Sequence, residues 1–90
     1  MKLDVASITN ENAASLLERG LAAVRSGDIA FDLAGVTAVD SAAVALLLAW
    51  QRAAAEQGKK LTFGGVPAGI ASLAQLYGVD GLLQVDAAPR

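Results

Sequence analysis

The sequence contains no cysteine and no histidine. Without cysteine there is no disulfide framework, no redox pair and no thiol nucleophile. Without either residue the zinc sites of soluble proteins cannot be assembled, and histidine-based acid–base catalysis and the Ser-His-Asp triad are excluded. An excess of basic charge is also missing. Seven Lys and Arg stand against nine Asp and Glu, for a net charge of -2 and a pI near 4.8. That balance argues against nucleic acid, whose binders carry a basic patch. No apolar signal-peptide core follows Met1-Lys2. The uncharged run Ser41 to Gln51 is well short of the roughly 20 residues that cross a bilayer. A cytosolic chain, or a soluble subunit held on a larger assembly, is expected.

What remains is a short and apolar chain. Its 90 residues, 54% hydrophobic and 18% charged, suit one folded domain and are too apolar for disorder. There is no internal repeat and no low-complexity linker, and only residues 86–90 read as a loose tail.

Lys2 to Ser7 alternates and reads as a strand, with Leu3 and Val5 on one phase. Thr9 or Asn10 is expected to cap a helix. Its inward stripe is Ala14, Leu17, Leu21 and Val24, and Gly27 stops it. Asp28 to Leu33 reads as a strand with Ile29, Phe31 and Leu33 on one face, and Ala34 to Asp40 as a connection. Ser41 is the expected cap of a helix over Ala42 to Gln57, stopped by Gly58. Lys59 to Phe63 reads as a strand and Gly64-Gly65 as a turn. Pro67 then opens a helix with the stripe Ile70, Leu73, Ala74 and Tyr77, ending at Gly78. Leu82 to Val85 is expected to form a last strand. Such alternation of strands and helices predicts a largely parallel sheet with right-handed crossovers.

The central helix is unusual. Val44, Leu47, Leu48, Gln51, Ala54 and Ala55 fall in one sector of its wheel. Ala42, Leu46, Ala49 and Ala53 lie opposite, with Trp50 on the shoulder. A surface helix should have a polar back, and the first turns of this one do not. Two readings stand. Either the helix is wedged between the sheet and another helix, or it exposes a flat small-residue patch that another protein covers. Ser41 likewise is either a cap alone or a contact residue and candidate phosphoacceptor. Phosphate there would be favoured by the helix dipole and opposed by Asp40. The glycine-rich segment after Phe63 lacks the Lys-Ser/Thr of a P-loop and the spacing of a dinucleotide fingerprint. Asp28 and Asp32 share a strand face, as a metal-binding pair or a solvated edge. Asp40 is the sole candidate base beside Ser41, and neighbouring turn residues seldom align for proton transfer, so an enzyme is not expected.

The run Asp32-Leu33-Ala34-Gly35-Val36-Thr37-Ala38-Val39-Asp40-Ser41, followed by Val44-Ala45-Leu46-Leu47-Leu48, resembles the STAS domain signature. Leu73-Ala74-Gln75-Leu76-Tyr77 is similar to the end of one branch, the small cytoplasmic STAS subunit of Mla-type phospholipid-transport ABC complexes. The resemblance implies an α/β fold with a mixed, mostly parallel sheet of about four strands. Three or four helices would pack mainly on one face of it. It also implies a non-enzymatic accessory subunit without cofactor or metal. That subunit would bind the ATPase of a lipid transporter and so be peripheral to the inner membrane. Carried onto this chain, the partner-binding surface is Thr37, Asp40, Ser41, Ala42, Val44, Leu46 and Ala49. The alternative within the family is an anti-sigma-factor antagonist switched by phosphorylation of Ser41. The chain departs from the family pattern at Ala42 and Ala43, where glycine is common, and its opening hairpin is reduced to one strand. A bare edge strand or the apolar helix face could make a homodimer. Neither nucleic-acid binding nor direct insertion into a membrane is expected.

Overall fold

The computed structural model describes residues 1–78; the expected strand over residues 82–85 and the tail over 86–90 lie outside them. The elements are β1 (Ser7–Ile8), α1 (Ala13–Arg25), β2 (Ala30–Asp32), β3 (Ala38–Val39), α2 (Ser41–Glu56), β4 (Thr62–Gly64) and α3 (Ala68–Leu76). The architecture is α/β, compatible with a STAS-like fold, and the four strands match the number expected.

The described strands carry the parallel pairing expected of most of the sheet. Every strand pairing among the described residues is parallel, and the strands form two pairs, β1 with β3 and β2 with β4. A parallel bridge between Lys2 and Asp32 links them. Leu3 N–H donates to the Asp32 carbonyl, and both Thr37 and Ala38 N–H donate to that of Ala6. The first eight residues therefore run alongside both β2 and β3. Between those two strands the chain turns, with Val36 N–H donating to the Leu33 carbonyl. The run from Ala34 to Asp40 is thus not wholly a connection, because its last part pairs as β3.

Phe31 and Phe63 stand opposite each other in the register of β2 and β4, and both are buried. Their neighbours Ala30 and Asp32 are exposed, so this pair has one covered face. Phe31 meets Trp50 of α2 edge-on, with ring centroids 5.2 Å apart, and Phe63 at 6.2 Å. Leu33 completes the buried phase. Ile29, expected on the same face, is 48% exposed because it precedes the paired segment.

Helix α1 starts later than its capping residues suggested. Asn12 precedes it, but its side chain is engaged elsewhere. Its Nδ2 donates to the Ser7 carbonyl and its Oδ1 accepts from Thr9 N–H. Residues 9–12 form a turn instead. The buried stripe is Leu16, Gly20 and Val24, with Leu17 and Leu21 half-buried and Ala14 exposed. A Cβ built on Gly20 would lie 2.1 Å from the Trp50 indole, so the glycine lets that ring lie directly on the α1 backbone. The indole Nε1 donates to the Leu17 carbonyl at 3.1 Å.

Gly27 and Gly58 follow α1 and α2 with positive φ, as expected of helix-terminating glycines. α2 begins at Ser41 rather than Ala42. α3 is preceded by Pro67 in extended conformation, outside the helix rather than in its first turn. Ile70 and Ala74 are buried on it, whereas Tyr77 is 53% exposed and does not join the stripe. No helix among the described residues is long and apolar enough to cross a membrane.

Candidate functional site

Asp40 has an extended backbone and caps α2, with Oδ1 accepting from Ala42 N–H at 2.8 Å. The expected cap, Ser41, is the first helical residue instead. Both residue types can cap, and the extended backbone is found at Asp40. Its other oxygen, Oδ2, accepts from Asn10 N–H at 3.2 Å. One carboxylate thus closes the start of α2 and holds the turn that leads into α1. With both oxygens accepting backbone N–H groups, Asp40 is a structural anchor. Ser41 is exposed, and no hydrogen bond engages its hydroxyl among the described residues.

Beside this junction the first halves of α1 and α2 leave an open groove of about 300 Å³. Ala13, Ala14 and Leu17 line it from α1. Ala42, Ala45, Leu46 and Ala49 line it from α2. Among the described residues no charged or polar side chain lines it. Alanines repeating at helical spacing keep both walls low, so an apolar side chain or a close-packed backbone can approach both helices. The described lining of the groove offers burial and shape. Among the described residues no group of His, Cys, Asp and Glu could hold a metal ion.

The central helix is wedged at some residues and exposed at others. Trp50 is fully buried and Leu46 is 5% exposed, because α1 packs over them, so this part of the helix back is wedged. Ala45 is exposed and Ala42 and Ala49 half-buried, so the patch survives as the α2 wall of the groove. Of the seven residues expected at a partner surface, the structure gathers Ala42, Leu46 and Ala49 in the groove. Asp40 and Ser41 adjoin it at the α2 N-terminus. Thr37 is exposed and ties the loop to the first strand, its hydroxyl donating to the Ala6 carbonyl at 3.2 Å. Val44 is buried in the core. Neither lines the groove. Sequence reasoning missed the α1 wall. The pair Ala13-Ala14 followed by Leu17 was its signal, obscured by assigning Ala14 and Leu17 to the core stripe.

Comparison with known proteins carries this further. A family model described as Mlab, STAS domain matches residues 3–84. No curated protein matches the chain. A match over most of the sequence shows that the chain belongs to the STAS domain family, which supports a general STAS-type regulatory or accessory role.

Proposed function

We propose that this STAS domain is a non-enzymatic accessory subunit that binds the ATPase subunit of a phospholipid-transport ABC complex, using the α1–α2 groove and the adjoining Asp40-Ser41 junction. It would sit in the cytoplasm, peripheral to the inner membrane through its partner. The observation that carries this reading is a groove whose described lining is apolar, beside the Asp40-Ser41 junction of a chain matched by the Mlab STAS family model. Further support comes from Asp40, whose oxygens both accept backbone N–H groups. Among the described residues no hydrogen bond joins that carboxylate to the Ser41 hydroxyl.

Docking would rest on apolar burial, worth about 25 cal/mol per Å². A charge placed on an exposed groove wall should abolish it. Ala45→Glu suits this test, because residue 45 is exposed. Leu46→Glu would bury a carboxylate and confound binding with unfolding. The variant should keep its helical circular dichroism and lose co-purification with the ATPase subunit. A folded Ala45→Glu protein that still co-purifies refutes the reading.

A second reading is favoured by the exposed Ser41 hydroxyl: a phosphorylation switch of the anti-sigma-factor antagonist type. Intact-mass measurement after incubation with a cognate kinase decides it. A gain of one phosphate, absent in Ser41→Ala, supports the switch; no gain removes it.

A further inference from the structure

The two helices run from the Asp40 end of the molecule to a second pole, about 24 Å away at 1.5 Å per residue of α2. Three segments meet there. α1 ends at Arg25, β2 starts after Ile29, and the turn after α2 carries Lys59 and Lys60. Their proximity is fixed by three observations. Lys59 N–H donates to the Ala54 carbonyl, and Thr62 N–H donates to that of Ile29. The Lys59 ammonium nitrogen lies 3.6 Å from where a Cβ on Gly27 would stand.

Arg25, Lys59 and Lys60 are exposed at this pole, and Arg52 flanks it one turn before the end of α2. None forms an ion pair among the described residues. Among the described residues the acids nearby do not cancel them. Asp28 is engaged by the Met1 ammonium and by Ala30 N–H, which leaves Glu56. Helix-end electrostatics account for Arg25 in the last turn of α1. They do not account for Arg52 or Lys60, since α2 has no basic residue in its last turn. Amid these cations Ile29 is 48% exposed.

We propose that this pole is a docking surface for a bilayer bearing anionic phospholipid headgroups. The cations come from separate segments on long flexible stems, which mobile headgroups can meet wherever they lie. Ile29 supplies an apolar tip that can enter the interfacial region. An acidic protein would leave Ile29 unexplained, and none of Arg25, Ile29, Arg52, Lys59 and Lys60 offers a base a ring to stack on. The contact is peripheral. Being at the far end of the helices from Asp40, it is separable from docking in the groove.

The test is co-sedimentation of the full chain with phosphatidylcholine vesicles, with and without phosphatidylglycerol, at low and physiological salt. Binding is expected only with phosphatidylglycerol and should weaken as salt rises. Each basic residue near an anionic surface is worth about a fivefold change in partitioning. Lys59→Gln/Lys60→Gln should therefore lower it roughly 25-fold, and Ile29→Ser should lower it further. Arg19→Gln removes the same kind of charge from the Arg19–Asp4 pair and should change it far less. Unchanged circular dichroism controls for folding. No binding to anionic vesicles at low salt, equal binding without phosphatidylglycerol, or equal losses from Arg19→Gln and a single Lys59→Gln would overturn the proposal. So would capture by soluble polyglutamate in the absence of any vesicle binding, which would assign the pole to an acidic protein.

Discussion

Replacing Gly20 with alanine should destabilise the protein, although it removes glycine from the middle of a helix. On helix propensity alone the change stabilises by about 1 kcal/mol. The packing opposes it. The new Cβ would lie 2.1 Å from the Cε2 and Nε1 atoms of Trp50 and 2.6 Å from Cζ2. Ordinary carbon contacts begin near 3.5 Å, so the ring must withdraw by roughly 1.4 Å. It is a rigid indole at 0% exposure, set edge-on against Phe31. Overpacking of this kind costs about 1–3 kcal/mol. Withdrawal also stretches the Nε1 bond to the Leu17 carbonyl, and an unsatisfied buried donor costs about 1–3 kcal/mol more. After the propensity gain, a net loss of roughly 1–5 kcal/mol is expected, set against the roughly 5–13 kcal/mol available to a domain of this size. Trp50 is the sole tryptophan, so its emission and far-UV circular dichroism can follow urea unfolding. The midpoint should fall by about 1–3 M. In a Trp50→Phe background the smaller ring should make Gly20→Ala much less harmful, with a coupling above about 1 kcal/mol. An unchanged or raised midpoint for Gly20→Ala, as propensity alone requires, would refute the packing of the indole on α1.

Three further outcomes can be checked directly. Asp40→Ala removes the α2 cap and the tie to Asn10 and should cost about 1–2 kcal/mol in urea unfolding, with faster amide exchange at Asn10 and Ala42. Gly65 has φ of 65° and its Cβ would meet Ala34 backbone atoms at 2.9 Å; Gly65→Ala should lower Tm by about 8 °C or more. The hydrogen bond from Arg19 and its charge hold the Asp4 carboxyl below the ordinary aspartate range. The stabilisation from this pair is therefore present above the unfolded-state value and is lost as pH falls through the lowered folded value. In Arg19→Gln the Asp4 carboxyl, followed by NMR, should titrate in the ordinary range.

The helix stops were the most legible part of the fold, because Gly27 and Gly58 adopt the left-handed conformation that other residues avoid. The helix starts were less legible. Adjacent Asp40 and Ser41 both suit a cap, and only the extended backbone at residue 40 selects between them. Asn12 looked unremarkable, although its side chain bridges Ser7 and Thr9 and delays α1. β3 escaped notice because two residues, Ala38 and Val39, carry no alternation; tertiary pairing with β1 makes them a strand. The inward face of α1 was misjudged at Gly20, since periodicity treats glycine as empty while the structure uses that emptiness to seat Trp50. The same error hid the site. With Leu17 assigned to the core, a groove with walls on two helices looked like a patch on one.

The all-parallel pairing constrains how the chain can reach this fold. β1 joins β3, and β2 joins β4, each across about thirty residues that include a whole helix. Neither pair can form locally, so chain closure must precede its hydrogen bonding. α1 and α2 can begin to form alone, but their apolar faces lack the β2–β4 pair until Phe63 has joined Phe31. During synthesis the second pair cannot form before residue 64 has left the ribosome. Until then an alanine- and leucine-rich α2 stays partly uncovered, which makes this interval the one most exposed to aggregation.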